Sequence, residues 1–243
     1  MAKLGQALIA IVLWAGGGLW FTAVGTAYFF LSLVIPPRHL RPVAWLACRG
    51  SLVLTAQRFE LAGRDPDVSS GPYLYLFNHS SIMDAPAMVC AIPEHFGAIG
   101  KAEQFEIPGW GWLCRRWGMI PIDRSNLESA IRSLDRAGED LSGGLSLLIS
   151  PEGTRTKDGS LGPFKKGAFH VALQRRCPII PVVIDGAFDA KPIGSWMLRP
   201  GRIRVTRGTP IHIEQGESVE ALRDRVEAVF RRMLDGSDQS APS

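Results

Sequence analysis

The sequence predicts an α/β protein with a mainly parallel sheet of about seven strands covered by helices, and with an N-terminal membrane-associated helical segment. Short apolar runs alternate with helix-length segments along most of the 243 residues. Those runs are apolar on both faces, which is typical of parallel strands buried between helices. A long uncharged apolar stretch precedes them and indicates a segment of a different kind.

That stretch covers residues 4–37, which contain no Asp, Glu, Lys or Arg. A spanning helix needs roughly 20 apolar residues, and a straight helix of the whole run would exceed a hydrocarbon core of roughly 30 Å. Gly16, Gly17 and Gly18 fall near its middle, where helix propensity is weakest. Two arrangements therefore stay open: one tilted span with a frayed end, or two helices hinged at the glycines and lying partly in one leaflet. We expect an anchor at 1–37, a main domain at 38–235 and a disordered polar tail at 236–243.

The charges and the cysteines indicate the compartment of the main domain and the kind of partner that it binds. Arg38, Arg41 and Arg49 follow the apolar run, which favours a main domain on the cytoplasmic side of the inner membrane. The formal net charge of +4 favours anionic partners such as lipid headgroups. Basic pairs are dispersed along the chain, so nucleic acid is not expected as a partner. The four cysteines are far apart, which favours free buried thiols in a reducing compartment over disulfides or a metal site.

The strands are predicted from short apolar runs that are rich in β-branched and aromatic residues and bounded by turn residues. They are residues 58–61, 72–77, 96–101, 118–123, 145–150, 179–184 and 202–207.

The helices are predicted from apolar residues repeating every three to four positions. They are residues 40–56, 82–91, two pieces within 104–117, 127–141, 166–174 and 219–234. The alternation of the two kinds of element places the carboxyl ends of several strands at one edge, where ligands bind in such sheets.

A first polar cluster follows the strand 72–77 and reads Asn78, His79, Ser80, Ser81, Ile82, Met83, Asp84. A neutral imidazole accepts a proton near pH 7, and a carboxylate on its other nitrogen would improve it as a base. In a regular helix His79 and Asp84 would lie about 140° apart, so only a turn before the helix could join them. The alternative is a structural turn residue and an early-helix carboxylate complementing the helix dipole.

Two further polar clusters follow strands. Residues 118–124 end in Arg124, a cation suited to phosphate at the sheet edge or, alternatively, an arginine paired with Asp123. Residues 150–155 follow the most apolar strand and end in Arg155. There Gly153 permits a tight loop, and Glu152 either accepts from a substrate hydroxyl or buttresses the loop. The alternative is a polar turn closed by a Glu–Arg pair.

Together these motifs resemble those of the glycerolipid acyltransferases over about residues 70–210. The motifs are Asn-His-x-x-x-x-Asp at 78–84, Gly-x-x-x-Ile-x-Arg at 118–124, Glu-Gly-Thr-Arg at 152–155 and an apolar strand with Pro181. The similarity is greatest to bacterial 1-acylglycerol-3-phosphate acyltransferases. It implies His79 as general base, Asp84 as its partner, and Arg124 with Glu152, Gly153, Thr154 and Arg155 as the acceptor-phosphate site. Lys101 is implied as a further basic contributor, and Asn78, Ser80, Gly118 and Pro181 support the motifs.

The resemblance implies direct acyl transfer from acyl-CoA or acyl-carrier protein to the free hydroxyl of lysophosphatidate, giving phosphatidic acid. No cofactor or metal is expected, and the expected partners are membrane lipids, the acceptor and, as one of the two candidate donors, acyl-carrier protein. No Gly-x-Ser-x-Gly elbow is present, so Ser80 and Ser81 are not expected to form an acyl-enzyme. Main-chain N–H groups near Ile82 are candidates for an oxyanion site. Two alternatives stay open: an acyltransferase for another lyso-lipid, and a membrane scaffold that binds anionic lipid without catalysis.

Overall fold

The apolar runs form strands of one twisted sheet. The computed structural model describes residues 2–123 and 127–236. Within them the strands are β1 (Gln57–Gly63), β2 (Leu74–Phe77), β3 (Phe96–Lys101), β4 (Met119–Ile122), β5 (Ser146–Ile149), β6 (Ile179–Asp185) and β7 (Gly201–Arg207). They lie in the order β1-β7-β6-β2-β5-β3-β4. Neighbouring strands are parallel except β6 and β7, which confirms the predicted fold class.

Helices cover both faces of this sheet. In the described residues they are α1 (Ala2–Ser32), α2 (Arg41–Leu54), α3 (Asp84–Ala91), α4 (Trp110–Trp117), α5 (Leu127–Ser142), α6 (Gly167–Arg175), α7 (Ala187–Ala190) and α8 (Val219–Leu234). One apolar core lies between the sheet and α2 and α3, and the other lies between the sheet and α5, α6 and α8. Successive residues of a strand alternate between the cores, so Tyr75 lies in the first and Leu74 and Leu76 lie in the second.

Two helix predictions differ from the structure. The helix predicted from residue 82 begins at Asp84 instead, because residues 79–83 form a turn. Helix α7 was not predicted, because four residues are too few to show a helical period.

Helix α1 runs unbroken through the three glycines, so the hinge that the sequence left open does not occur. Gly16 and Gly17 lie instead where α2 packs against α1. A Cβ atom on Gly17 would lie 2.5 Å from Thr55 Cγ2, and one on Gly50 of α2 would lie 2.1 Å from Trp20 Nε1. The absent side chains allow the two backbones to approach closely, as small residues do between packed membrane helices. Trp20 Nε1 then donates to the Ala47 carbonyl at 3.1 Å.

The outer surface of α1 is apolar and uncovered. Residues Leu4–Ser32 are long and apolar enough to cross a membrane, and only 11% of their most apolar window is buried. The exposed side chains include Leu8, Val12, Leu19 and Phe30. The part of the predicted tail from residue 237 onward lies outside the described residues.

The four cysteines are free and buried, as expected: Cys48, Cys90, Cys114 and Cys177. Burial raises the pKa of Cys90, Cys114 and Cys177 to about 11 in each case. A thiol with so high a pKa is almost wholly protonated at neutral pH, so these side chains act as small apolar groups.

Candidate active site

The carboxyl ends of β6, β2 and β5 lie side by side, with β2 in the middle. Strands β2 and β5 are each followed by one of the polar segments singled out in the sequence. Strand β6 is followed by a loop that leads to α7. The segment that follows β2 carries His79 and is therefore flanked by two other loops.

His79 and Asp84 meet in a turn rather than a helix. Asp84 is the first residue of α3 and is fully buried. Its Oδ2 atom lies 2.7 Å from His79 Nδ1, and it also accepts the N–H groups of Ser80 at 2.7 Å and Ser81 at 2.8 Å. The carboxylate therefore shapes the turn that brings it under the ring. It also holds the imidazole proton on Nδ1, so that Nε2 presents its lone pair.

Hydrogen bonds within the same turn determine which main-chain N–H groups are available to bind a substrate oxygen. The N–H groups of Ser80 and Ser81 donate to Asp84, and that of Met83 donates to Ser81 Oγ at 3.2 Å. Because these three N–H groups already have acceptors within the turn, they do not form the oxyanion site that was expected near Ile82. The hydroxyl of Ser81 donates to the Lys191 carbonyl at 2.8 Å and makes no contact with His79.

Asn78 fixes the point where β2 ends and the turn begins. Its side chain donates to the Ile184 carbonyl at 2.9 Å and accepts the Ile184 N–H at 2.7 Å. The amide thus continues the pairing of β2 with β6 for one residue after Phe77. Pro181 is tolerated in β6 because the pairing with β7 starts only at Val182.

Glu152 supports the His79 turn from the side of β5. It is 5% exposed, and its two oxygens accept the N–H groups of His79 and Gly162, each at 2.8 Å. The Thr156 N–H donates to the His79 carbonyl at 2.9 Å. Of the two roles that the sequence left open for Glu152, this geometry fits the buttress. Burial raises the pKa of Glu152, and the two main-chain hydrogen bonds partly offset that rise.

A depression of about 340 Å³ opens beside this buttress. Its lining is Glu152, Thr154, Arg155, Thr156, Gly162, Pro163, Phe164 and Lys165. Gly153 has a φ of +70°, and a Cβ atom there would lie 3.1 Å from Lys165 Nζ. Only glycine adopts this backbone readily while leaving room for the lysine. Lys165 was not among the residues that the sequence singled out, because it belongs to no motif and lies near Gly153 only in the folded chain.

Arg155 is half-buried and makes no ion pair or hydrogen bond within the part of the chain that the structure describes. The alternative of a Glu152–Arg155 pair is therefore wrong, because both oxygens of Glu152 bind main-chain N–H groups. A half-buried guanidinium without a carboxylate partner is suited to an external anion.

The remaining predicted residues lie farther from His79 or outside the residues that the structure describes. Lys101 ends β3, one strand beyond β5, and pairs with Glu103 at 2.7 Å on the surface. Gly118 has a φ of +103° and ends α4, which explains the glycine without a substrate contact. Arg124 lies outside the described residues. Within residues 2–123 and 127–236, no three His, Cys, Asp or Glu side chains are grouped so that they could hold a metal ion.

Comparison with known proteins assigns this arrangement to a family. A family model described as Acyltransferase matches residues 58–185, more than half of the chain, including His79, Asp84 and Arg155. The chain belongs to the acyltransferase family.

Relatives of this acyltransferase-family protein carry consistent names. It is 37% identical over 145 residues to a chloroplast 1-acyl-sn-glycerol-3-phosphate acyltransferase of Brassica napus, covering 59% of this chain and 42% of the relative. It is 34% identical over 168 residues to one of Arabidopsis thaliana, covering 69% and 46%. The chain thus spans about half the length of these plant relatives. With the alpha form of Mus musculus it shares 30% identity over 251 residues, covering 90% and 88%.

The fold also has a solved counterpart. The crystal structure of the 1-acyl-sn-glycerophosphate (LPA) acyltransferase PlsC from Thermotoga maritima matches with a TM-score of 0.85 and covers 100% of both chains. At 24% sequence identity, this match supports the architecture of the acyltransferase-family protein, including α1 and α2.

Proposed function

We propose that this protein transfers an acyl group from an acyl thioester to the free hydroxyl of 1-acylglycerol-3-phosphate, giving phosphatidic acid. The observation that carries the proposal is the 2.7 Å contact of His79 Nδ1 with Asp84, beside Arg155, which has no ion-pair partner among the described residues. Family membership and the names of the relatives support acyl transfer to a lysophosphatidate.

His79 acts as the general base. Its Nε2 takes the proton from the acceptor hydroxyl, and the hydroxyl oxygen attacks the thioester carbonyl. Asp84 stabilises the imidazolium that forms, since its carboxylate is buried and already bound to Nδ1. The tetrahedral intermediate then expels the thiolate, which takes the proton from Nε2. No acyl-enzyme is required, because a thioester reacts readily with a positioned and activated hydroxyl.

The acceptor phosphate binds to Arg155, at the depression that follows β5. Arg124 and Lys101 are proposed as further cations at this edge, and Gly153 and Thr154 shape the loop that approaches the phosphate. Glu152 positions both the base and this loop through its hydrogen bonds to His79 and Gly162.

Helix α1 holds the protein on the bilayer, where the acceptor and the product reside. The support is its exposed apolar surface and the basic residues Arg38, Arg41 and Arg49 that follow it. We place the catalytic domain on the cytoplasmic side of the inner membrane. The acyl donor is acyl-CoA or acyl-carrier protein, and no cofactor is needed.

Purified protein should be assayed with both donors against a panel of acceptors. The panel comprises lysophosphatidate, a lysophospholipid with a larger headgroup, an amino-acid lyso-lipid and monoacylglycerol. Preferential formation of phosphatidate supports the proposal. Preference for a different acceptor would assign the alternative lyso-lipid activity, and transfer to no acceptor from either donor would refute both.

A further inference from the structure

Lys191 is tied to the catalytic turn although it lies more than a hundred residues away in sequence. It follows α7, and its N–H donates to the Ala187 carbonyl at 3.1 Å. Its carbonyl accepts the hydroxyl of Ser81 at 2.8 Å, and the N–H of Ser81 donates to Asp84. The main chain of Lys191 is therefore fixed relative to the His79–Asp84 pair, through a single intervening residue.

The order of the strands places Lys191 and Arg155 on opposite sides of His79. Strand β2 leads to His79 and lies between β6, which leads to Lys191, and β5, which leads to Arg155. Thr156, next to Arg155, donates its N–H to the His79 carbonyl at 2.9 Å. The two cations are thus connected to the same turn by separate hydrogen bonds.

Neither cation is neutralised within the described residues. Lys191 Nζ donates to the Pro192 carbonyl at 3.2 Å, and within residues 2–123 and 127–236 neither Lys191 nor Arg155 has a carboxylate partner. Both side chains are half-buried. Burial lowers the pKa of Lys191, and the positive charge of Arg155 lowers it further. Two like charges held near each other and partly shielded from water are unfavourable unless an anion joins them.

We propose that Lys191 is a substrate-binding residue that, together with Arg155, holds a phosphate group of a substrate beside His79. The inference rests on the proposed function. A phosphate monoester carries about −1.5 to −2 charges at neutral pH, which suits two cations. The arginine would donate two hydrogen bonds to the phosphate, and the lysine would act as a point charge. Two sources offer such a group: the acceptor, whose phosphate is a monoester, and the phosphopantetheine arm of the donor, whose phosphate is esterified on both sides and carries less charge.

Replacing Lys191 with methionine tests the inference, because Lys191→Met removes the charge and keeps the carbonyl that binds Ser81. We expect KM for the phosphate-bearing substrate to rise about tenfold with a smaller change in kcat. A rise for lysophosphatidate but not for monoacylglycerol identifies the acceptor as the source, and a rise for the donor alone identifies the donor. Lys191→Arg should restore most of the loss. Unchanged KM values for both substrates would overturn the inference.

Lys166→Met is the matched control, since Lys166 Nζ pairs with Glu220 at 2.6 Å on the surface. It should leave both KM values at the parent level, and an equal rise in this variant would show a general charge effect and overturn the inference. Binding of glycerol 3-phosphate, measured by calorimetry, separates the inference from the proposed function. If the parent protein transfers no acyl group but binds glycerol 3-phosphate, weaker binding by Lys191→Met still supports the site, and equal binding refutes it.

Discussion

Glu152 accepts the main-chain N–H of His79 at 2.8 Å, and this bond joins the turn after β2 to the loop after β5. The second oxygen of Glu152 accepts the N–H of Gly162, and the His79 carbonyl accepts the N–H of Thr156. The proposed base and the proposed phosphate loop are therefore one hydrogen-bonded unit. A side chain that touches neither reacting group can thus control both.

Glu152→Gln should loosen this unit. A glutamine offers one acceptor where the structure uses two, so one N–H group loses its partner and faces an NH₂ group instead. We expect a loss of about 1–3 kcal/mol in the free energy of unfolding and a fall in kcat with every acceptor. Thermal unfolding and steady-state kinetics measure the two effects.

Glu220→Gln provides the comparison, because Glu220 is exposed and pairs with Lys166 at the surface. It should change neither quantity measurably. A Glu152→Gln variant that kept its stability and lost activity only with phosphate-bearing acceptors would instead indicate direct contact with the substrate.

The buried carboxyl of Glu152 also predicts a pH dependence. Burial raises its pKa, so between the ordinary glutamate pKa of about 4.3 and the raised value the folded protein keeps a proton that the unfolded chain has released. The stability that this group contributes is therefore greatest below that window and falls as pH rises through it. Urea unfolding at several pH values should show that the free energy of unfolding falls more steeply with rising pH in the parent than in Glu152→Gln. Parallel curves would contradict the assignment.

His79→Ala should reduce kcat by at least about a hundredfold without unfolding the protein, because it removes the base from a turn that Asp84 still shapes. Asp84→Asn should keep an acceptor for the N–H groups of Ser80 and Ser81 but remove the charge that stabilises the imidazolium. We expect a loss in kcat of roughly a hundredfold or more. His170→Ala, at an exposed position of α6, should behave as the parent does. Near-normal turnover by His79→Ala would exclude it as the base.

The sheet could be predicted from the sequence because its central strands β2, β5 and β6 are apolar on both faces and the strands alternate with helices of clear period. The His79–Asp84 pair could not be settled in the same way. Helical geometry places the two residues about 140° apart, and they meet only because Asp84 accepts two main-chain N–H groups and delays the start of α3.

Other features depend on contacts between distant segments, which local patterns do not encode. Gly17 looked like a weak point of a helix, but its neighbour is Thr55. Lys191 follows a helix too short to show a period, and its main chain is joined to the turn at His79 by the hydrogen bond from Ser81. The sequence left open an ion pair between Glu152 and Arg155, but both oxygens of the carboxylate accept main-chain N–H groups.

Arg155→Ala should lower kcat/KM selectively for acceptors that carry a phosphate. Charge-assisted hydrogen bonds contribute about 1.5–3 kcal/mol, so kcat/KM for lysophosphatidate should fall roughly tenfold to a hundredfold. The value for monoacylglycerol should change much less. Arg132→Ala removes an exposed cation that pairs with Glu128 on α5 and should affect neither acceptor. An equal loss with both acceptors would count against a phosphate role for Arg155.

The double substitution Val12→Glu and Leu19→Glu should weaken membrane binding. These side chains are 68% and 73% exposed on α1, so charges there would lie on the surface proposed to face the bilayer, away from the contact with α2. Liposome flotation should show less bound protein, and more so at neutral than at acidic pH. Ile131→Glu on α5, 49% exposed on the other side of the sheet, is the control and should float like the parent. Unchanged flotation of the double variant would remove α1 from the membrane contact.

Gly17→Ala and Gly18→Ala should have opposite effects on stability although the positions are adjacent. The new methyl at Gly17 would meet Thr55 Cγ2, and Thr55 is held in place because its hydroxyl donates to the Ser51 and Leu52 carbonyls at 2.7 and 3.1 Å. Relieving the clash requires α1 and α2 to separate, at a cost of about 1–3 kcal/mol.

At Gly18 a Cβ atom would meet nothing within 4 Å, so alanine should stabilise the helix by up to about 1 kcal/mol through its higher propensity. Thermal unfolding of the detergent-solubilised variants, followed by tryptophan fluorescence, measures both changes. If both variants were destabilised equally, the glycines would be needed for a flexible helix rather than for close packing against α2. A loss confined to Gly17→Ala would show that the contact with Thr55 is what the glycine permits.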